Sequence, residues 1–577
     1  MKKTTFYVLS FLFTFTFAAA QDEQFKPRNS EFEFLDFSND TLVTLLKSPV
    51  LDNQNIVYES KLPYPIIFIH GLNSSSETWN TTSNYLDSQY GYVFGGRFDF
   101  CLSADGNHGL ANKNFYPTSG ADIAAFETTT IQNGDYYYVN FDVNINGSIG
   151  TSVYSNQSAV TKQGVAVKKA VERVLALTGK DKVILVGHSM GGLASREYIQ
   201  NSYNWQADGQ HHVAKFLTLG TPHGGSNASD IPFSWATGTE THSEALRDLK
   251  ITYYYSGEPS RFLFGGIEIN DANNMNEHYW TADYWNYDVN CNGSIGNTIV
   301  GLNQKPIDNL IDFSSVLGRI NGSSSDGIVT ETAGTLGNYS TGTGLTYPIK
   351  YFYYTSLGIE NHTALPSQYS YVMQGLDEPN FKELAYKIQT NKNYIGYTTV
   401  QASGTTIDDD FYKFTVTSNI NAIVSISSIA TTSMNATILN NLGTPIGATQ
   451  NNSGATLDFT RVLAPGDYFL KISSTNPTST NYQTPYQFII NTTLSAQEID
   501  FANFSYYPNP VKDKLMLTNI NLSKLSIYNT MGQLIDVKKL DVLQNQNEVD
   551  LSTLSNGMYL VVLENETTQK TIQIIKD

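Results

Sequence analysis

Residues 182–200 read KVILVGHSMGGLASREYIQ, and this stretch decides the fold of the central part of the chain. The apolar run from Val183 to Val186 predicts a buried strand, and the stretch from Gly191 onward predicts a helix. The chain must therefore turn sharply at Ser189. Glycines two positions before and after the serine remove the side chains that would collide in such a turn. The pattern predicts a strand–turn–helix unit that lifts the serine hydroxyl clear of the backbone.

Strands and helices alternate in the same way over the larger part of the chain. Apolar runs predict strands at 64–71, 135–142 and 348–358 and a strand followed by a loop at 213–225, and helical spacing predicts a helix over 158–179. This alternation is typical of a mostly parallel sheet covered by helices. We therefore expect an α/β domain at 21–394. Residues 226–300 interrupt it with an irregular, aromatic-rich insertion, which is either a lid with an apolar face or a cap with its own core.

Short strand-like runs separated by Gly, Asn, Ser and Thr replace this alternation after about residue 395. Such spacing is typical of small all-β sandwiches. We expect one sandwich at 395–493, a linker, and a second sandwich at 503–577. The fold class is therefore α/β with two small all-β modules after it.

The first twenty residues predict an exported protein. Lys2 and Lys3 precede the apolar run FYVLSFLFTFTF, and small residues follow it, which is the pattern of a secretory signal peptide over 1–20. The run is shorter than the roughly 20 residues of a membrane span, and no later stretch is long enough to be one. An exported chain can join Cys101 and Cys291 in a disulfide, and the sequence leaves that pairing open.

The formal net charge of −18 over 577 residues argues against nucleic acid as a partner. Binding to phosphates requires a basic face, which an acidic chain of this kind does not favour. The candidate functional residues lie in the sharp turn and in the loops that follow the other strands.

A serine nucleophile needs an oxyanion hole, which is formed by two backbone N–H groups. The residue after the serine, Met190, supplies one of them. The other is expected from the loop after the strand IFIHG, and we assign it to Leu72. His70 in that loop is interpreted as a residue that orients the loop rather than as a base.

The serine also needs a base and an acid, which follow it in the chain order Ser, Asp or Glu, His. His362 lies in SLGIENHTALP, directly after the last predicted strand, and we predict that it is the base. The other histidines precede or adjoin the serine, follow it too closely, or lie in the irregular insertion: His70, His108, His188, His211, His212, His223, His242 and His278. Asp326 in NGSSSDGIVT is the best-placed acid, and Asp312 and Glu331 are the alternatives.

These motifs together resemble a known family. IFIHGL, VILVGHSMGGLASREYI, FLTLGTPHGG, SDGIV and ENH are similar to α/β-hydrolase lipases and esterases, including the branch of GPI inositol-deacylase and bacterial triacylglycerol lipases. The resemblance covers about 55–370. It implies a carboxylic ester or lipid substrate, no required cofactor, and the following roles: nucleophile Ser189, acid Asp326, base His362, oxyanion donors Leu72 and Met190.

The two β modules carry resemblances of their own. DDDFYKFTV, LNNLGTPIG and LAPGDYFLKI resemble the pre-peptidase C-terminal domains of secreted bacterial hydrolases. YYPNPVKDKLML, IYNTMGQLI and LSNGMYLVVL resemble the C-terminal sorting domain of the type IX secretion system. The second resemblance implies the type IX secretion machinery as a partner and a secreted or cell-surface location.

One motif occurs twice, as DVNINGSIG at 142–150 and DVNCNGSIG at 288–296. Oxygen-bearing side chains at alternate positions followed by glycine are typical of the first half of a calcium loop. In the second copy the expected ligands are Asp288, Asn290 and Asn292. Both copies lack the closing glutamate, so the alternative is a pair of Asn-rich turns without a metal.

Three functions are compatible with these residues and resemblances. The first is a secreted serine hydrolase that cleaves carboxylic esters through an acyl-enzyme. The second is an amidase or thioesterase that uses the same residues. The third is a non-catalytic surface-binding protein built on a hydrolase scaffold, which the complete set of serine, acid and histidine disfavours.

Overall fold

The structure is a computed structural model. It describes the following residues: 43–46, 58–102, 123–126, 129–144, 147–150, 153–226, 244–249, 302, 305–320, 323–338, 349–354, 360–401, 405–429, 433–478, 480–494, 504–518, 522–540, 546–564 and 569–577. The chain divides into two compact units. The first comprises Met1–Phe414, Val424–Phe459 and Asp467–Asn491, and the second comprises Thr415–Ile423, Thr460–Gly466 and Thr492–Asp577.

The first unit is built on a sheet of nine strands. They are β1 (Val43–Leu46), β2 (Ile66–Ile69), β3 (Phe94–Cys101), β4 (Ile123–Phe126), β5 (Tyr136–Asn140), β6 (Val183–His188), β7 (Val213–Leu219), β8 (Asp312–Ile320) and β9 (Ile349–Tyr354). Their spatial order is β1-β4-β3-β5-β2-β6-β7-β8-β9. Every neighbouring pair is parallel except β3 and β4. The prediction of a mostly parallel sheet is therefore confirmed.

Helices lie between these strands and after the last of them. They are α1 (Asn80–Tyr85), α2 (Val153–Asn156), α3 (Val160–Thr178), α4 (Met190–Gln200), α5 (Glu244–Leu249), α6 (Glu331–Gly334), α7 (Glu360–Ala364) and α8 (Tyr369–Gly375). Short 3₁₀ turns occur at Ser76–Trp79, Ser202–Asn204, Leu336–Asn338, Leu365–Ser367 and Lys382–Leu384, and a π turn at Leu86–Tyr90. Among the described residues, no helix combines the length and the apolar character that crossing a membrane requires.

The central strands and the helix after the sharp turn are buried. All residues of β2, β5, β6 and β7 are buried, as expected for parallel strands covered on both faces. All residues of α4 are buried as well. Helix α3 packs one apolar face into the same core through Val160, Val167, Val171 and Val174. The turn between β6 and α4 is therefore held rigidly from both sides.

The first β module follows the α/β part. Its strands are β10 (Tyr386–Lys387), β11 (Tyr394–Gly396), β12 (Asp409–Val416), β13 (Ile420–Ser427), β14 (Met434–Asn440), β15 (Gln450–Asn451), β16 (Thr456–Leu463), β17 (Gly466–Ser474) and β18 (Tyr486–Leu494). They form sheets in the orders β10-β12-β17-β14-β15 and β11-β18-β13-β16. Strand β10 belongs to this module because its two residues pair with β12. It lies before residue 395, where the sequence predicted the module to begin.

The second β module contains strands β19 (Ser505–Tyr507), β20 (Lys514–Thr518), β21 (Lys524–Asn529), β22 (Leu534–Lys539), β23 (Gln546–Asp550), β24 (Gly557–Glu564) and β25 (Gln569–Lys576). The sheet orders are β19-β20-β23 and β22-β21-β24-β25, with antiparallel neighbours. Leu515, Ile527, Val561 and Ile574 come from both sheets and share one apolar core. The prediction of all-β modules after the α/β part is confirmed.

Candidate active site

The carboxyl ends of the central strands lie at one edge of the sheet. Ile69 of β2 is paired with Gly187 of β6, and His188 of β6 is paired with Leu219 of β7. Leu219 is paired in turn with Val316 of β8. Loops that follow parallel strands meet at such an edge, which is where open α/β sheets bind ligands. The loops after β2, β6, β7 and β8 therefore converge.

Ser189 lies at the turn between β6 and α4, with φ 52° and ψ −124°. A positive φ is rare for a residue other than glycine and costs on the order of 1–3 kcal/mol unless the surroundings enforce it. Its own N–H donates to the carbonyl oxygen of Leu219 at 2.9 Å, which ties the strained residue to β7. A Cβ on Gly191 would lie 2.5 Å from the carbonyl oxygens of Ile69 and His70, so no side chain fits there.

The loop after β2 lies directly against the serine. A Cβ on Gly71 would be 2.7 Å from the Cβ of Ser189. His70 is fully buried, and its Nε2 accepts from the N–H of Phe141 at 2.8 Å. Because Nε2 accepts, the ring proton is on Nδ1, which donates to the carbonyl oxygen of Gly71 at 2.8 Å. Burial lowers the pKa of His70 to about 4, so the ring is neutral.

This hydrogen bond fixes the peptide that joins Gly71 to Leu72. In a trans peptide the C=O and the N–H point in opposite directions, so the N–H of Leu72 points away from the ring of His70. The interpretation of His70 as a loop-orienting residue has its physical basis in this geometry.

His362 and Asp326 lie together although 36 residues separate them. His362 is in α7, and its Nδ1 is 2.7 Å from Oδ2 of Asp326. The other carboxylate oxygen of Asp326 accepts from the backbone N–H groups of Ile328 at 3.0 Å and Val329 at 2.7 Å. Asp326 is 1% exposed and His362 is 5% exposed. Two backbone N–H groups and the ring nitrogen of His362 therefore surround the buried carboxylate.

Two residues close to Ser189, namely Gly220 and His188, also lie against the His362–Asp326 pair. A Cβ on Gly220, the residue after Leu219, would lie 3.0 Å from Oδ2 of Asp326 and 3.1 Å from Nδ1 of His362. The ring centroids of His188 and His362 are 4.9 Å apart. Within the described residues, the hydroxyl of Ser189 makes no hydrogen bond to His362. Such bonds are often long without a substrate and tighten when one is bound.

The two alternative acids have other partners. Asp312, at the start of β8, pairs with Nζ of Lys215 at 2.5 Å. Glu331 pairs with the guanidinium of Arg319. The structure therefore brings Asp326, and neither alternative, to the ring of His362.

The remaining described histidines have structural contacts. His223 in the TPHGG segment is fully buried, and Nη1 of Arg196 lies 3.4 Å from its Nδ1. Burial and the charge of Arg196 hold the pKa of His223 well below its usual range. His211 and His212 contact the carboxylates of Asp308 and Asp208, each at 2.9 Å.

Several predicted features lie outside the described residues. They are the calcium-loop ligands Asp288, Asn290 and Asn292, the second cysteine Cys291, and residues 1–20. Cys101 is buried at the end of β3. The cysteine pairing, the calcium loop and the signal peptide therefore stay predictions.

Of the aromatic insertion at 226–300, the structure describes Ser226 and the short helix α5. In α5, Oδ2 of Asp248 accepts from the N–H of Val160, the first residue of α3, at 2.8 Å. Ala245 and Leu249 belong to the core of the α/β part. This helix is therefore fixed to the domain, while the choice between lid and cap for the rest of the insertion stays open.

A second buried polar group, which was not predicted from the sequence, is the acidic cluster of Asp377, Glu378, Asp408 and Asp410. One oxygen each from Asp377, Asp408 and Asp410 lie within 4.8 Å of one another, a donor set that Ca²⁺ accepts. Burial and then the charge of Asp377 raise the pKa of Glu378 to about 8. The sequence feature that points to this cluster is IDDDF at 407–411. Asp408 and Asp410 share one face, because side chains two residues apart in a strand point to the same side.

Comparison with known proteins agrees with this architecture. Residues 63–237 match the family described as PGAP1-like alpha/beta domain, and residues 505–577 match the secretion system C-terminal sorting domain. A triacylglycerol lipase of Pseudarthrobacter phenanthrenivorans is 36% identical over 102 residues, which are 17% of this chain and 30% of that protein. A triacylglycerol lipase of Burkholderia plantarii is 36% identical over 102 residues, 17% of this chain and 26% of that protein. The chain thus spans less than a third of either relative.

Among solved structures, the product of the gene lin2722 from Listeria innocua is 13% identical, with a TM-score of 0.31, over 56% of this chain and 96% of that one.

The sequence resemblances to the hydrolases and to the sorting domain are confirmed by the two family matches. The chain therefore carries a PGAP1-like α/β domain that shares a segment with triacylglycerol lipases, followed by a secretion-system sorting domain, and it is a secreted or cell-surface protein.

Proposed function

We propose that the protein is a secreted serine esterase or lipase in which Ser189, His362 and Asp326 form a catalytic triad. The observation that carries the proposal is the 2.7 Å contact between Nδ1 of His362 and Oδ2 of Asp326, formed beside the strained turn that presents Ser189. A carboxylate that faces Nδ1 keeps the proton of the neutral imidazole on that nitrogen. Nε2 is then left as the acceptor for a hydroxyl proton.

Acylation follows from this arrangement. Nε2 of His362 takes the proton of the Ser189 hydroxyl while Oγ attacks the carbonyl carbon of the ester. The imidazolium that forms is stabilised by the buried carboxylate of Asp326. It then returns the proton to the leaving alcohol, so that an acyl group remains on the serine. Water attacks the acyl carbon in the second half-reaction with the same histidine as base, and no cofactor is needed.

The tetrahedral intermediate needs donors for its negative oxygen, and we assign these to the N–H groups of Leu72 and Met190. Gly71 supports the first assignment, because it brings the loop after β2 against Ser189. His70 supports it as well, since its contact with the Gly71 carbonyl fixes the direction of the Leu72 N–H. Met190 is the first residue of α4, where the positive end of the helix dipole also favours negative charge.

The test is the hydrolysis of p-nitrophenyl esters by the purified protein. A series from acetate to palmitate, with and without a lipid–water interface, measures both activity and preferred acyl length. We expect turnover that Ser189→Ala lowers by at least about 10⁴-fold, since removal of a serine nucleophile has effects of that size. An unchanged turnover in a folded Ser189→Ala variant would overturn the proposal.

The same triad can form an acyl-enzyme from an amide or a thioester, so the preference for the leaving group has to be tested separately. We expect the ester to have the highest kcat/KM when p-nitroanilides and acyl thioesters of the same acyl group are compared with it. A higher value for the anilide or the thioester would identify an amidase or a thioesterase instead.

We further propose the type IX secretion machinery as the partner of residues 503–577. The family match at 505–577 supports this proposal. In the native host, removal of 503–577 is expected to leave the esterase activity in the cells and to abolish it in the medium. Activity that still reaches the medium would contradict this assignment.

A further inference from the structure

His188, the residue before the nucleophile, contacts the residue that we propose as the base. Its Nε2 is 3.0 Å from the backbone carbonyl oxygen of His362. A carbonyl oxygen can only accept, so Nε2 of His188 carries the proton and donates it. His188 is 4% exposed, and this hydrogen bond is therefore shielded from water.

The carbonyl of His362 has a particular need for an outside donor. In an α-helix a carbonyl accepts from the N–H four residues later. Four residues after His362 stands Pro366, which has no N–H to donate. Helix α7 is also only five residues long, so few hydrogen bonds of its own hold it in place. The imidazole of His188 supplies the donor that the proline lacks.

The ring of His188 is neutral and has one defined tautomer. Burial, followed by the charge of His362, holds its pKa well below its usual range. Its Nδ1 is buried and has no hydrogen-bond partner among the described residues. All of its hydrogen bonding in that part of the chain is therefore directed at His362 through Nε2.

From these contacts we infer that His188 is a positioning residue, which fixes the backbone of His362 at a set distance from Ser189. The inference rests on the proposed function. His188 and the nucleophile Ser189 are adjacent residues, so the turn that positions Oγ of Ser189 also positions the donor that holds the base. The hydrogen bond from His188 to the carbonyl of His362 is called the clamp below. Asn361 provides a further tether, since its Nδ2 donates to the carbonyl of Arg319 at 3.3 Å.

The test compares two substitutions at His188. His188→Gln keeps an N–H donor near the position of Nε2, and His188→Leu keeps bulk without a donor. We expect His188→Leu to lower kcat for a p-nitrophenyl ester about a hundredfold with KM within about threefold, because a shift of about 1 Å has effects of that size. His188→Gln is expected to stay within about fivefold of the unsubstituted protein.

A second readout does not depend on activity. The proton on Nδ1 of His362 that faces Asp326 gives a downfield resonance in one-dimensional proton NMR. We expect the resonance to persist in His188→Gln and to broaden or vanish in His188→Leu. Thermal unfolding of both variants shows that they are folded.

The outcomes separate the two proposals. If the unsubstituted protein hydrolyses no ester but the resonance still depends on the donor at position 188, the proposed function fails and the clamp stands. Loss of kcat in His188→Gln equal to that in His188→Leu, or an unchanged kcat and resonance in His188→Leu, would overturn the clamp while leaving the triad in place.

Discussion

The first unit contains two buried polar centres of opposite design. Around Asp326, two backbone N–H groups and the imidazole of His362 face one carboxylate. In the acidic cluster, carboxylates face one another, and their donors are mainly tyrosine hydroxyls, an amide and a backbone N–H. The first centre sets one carboxylate among N–H groups, whereas the second sets several carboxylates against one another.

This difference teaches how a buried carboxylate can be assigned. A buried carboxyl group alone does not identify a catalytic site, because both centres contain one. What distinguishes Asp326 is that its donors include an imidazole held beside a strained serine. In the acidic cluster, Glu378 and Asp410 instead favour the protonated form, because burial and the neighbouring carboxylates raise their pKa values.

The largest expected effect is that of Asp326→Asn on catalysis. The amide removes the charge that stabilises the imidazolium and can hold the wrong tautomer, so we expect kcat to fall by about 10⁴-fold. Steady-state kinetics with a p-nitrophenyl ester measures this change.

Asp312→Asn is the matched control, because Asp312 is the alternative acid and is paired with the buried Lys215. Breaking one partner of a buried pair destabilises by about 3–5 kcal/mol. We therefore expect a lower melting temperature with kcat within about tenfold. A larger loss of kcat for Asp312→Asn than for Asp326→Asn would exchange the roles of the two aspartates.

A smaller effect is expected at the turn that carries the serine. In Gly191→Ala the new methyl group would lie 2.5 Å from two backbone carbonyl oxygens, which cannot easily move. We expect a destabilisation of about 1–3 kcal/mol together with a loss of activity. Denaturant unfolding measures the first quantity.

Gly179→Ala provides a comparison for this substitution, because Gly179 has φ +64° but no atom within 4 Å of the added Cβ. It should cost about 1 kcal/mol from backbone strain and leave kcat unchanged. Equal kcat in the two alanine variants would contradict the steric account of the turn.

The smallest effect concerns the pH dependence of stability at the acidic cluster. The pKa of Glu378 is about 8 in the folded protein against 4.5 as its ordinary value. A raised pKa of an acid means that the folded state holds the proton more tightly. Its contribution to stability is therefore complete below about pH 4.5 and is lost as the pH rises towards 8.

Glu378→Gln removes this titration. We expect the variant to melt several degrees above the unsubstituted protein at pH 8, at about 2–4 °C for each kcal/mol, and close to it at pH 5. The melting curves are recorded with a chelator, so that only protons neutralise the cluster. Asp467→Asn, at a half-exposed pair with Lys413, is the control without this dependence. Equal melting temperatures at pH 8 would show that Glu378 is ionised in the folded state.

Local patterns predicted the fold and the turn because their causes are local. Apolar runs and glycine spacing around Ser189 depend on neighbouring residues, and the strands and helices appeared near their predicted positions. The chain order of serine, acid and histidine predicted His362 as the base and Asp326 as the acid. The contact between them depends on loops that only the order of the strands in the sheet brings together.

The acidic cluster could not be predicted in full for the same reason. Asp408 and Asp410 share a visible alternation at the start of a strand. Asp377 and Glu378, however, come from the segment after α8, and only the folded chain brings them to β12. The clamp at His188 likewise needs a carbonyl 174 residues away.

The most direct test of the central claim is covalent labelling of the folded protein with a fluorophosphonate probe, followed by intact mass and peptide mapping. The account predicts one label per chain on Ser189, and no label on a folded Ser189→Ala variant. A folded protein that takes up no label, or an equal label in Ser189→Ala, would contradict the claim that this hydroxyl is the activated nucleophile.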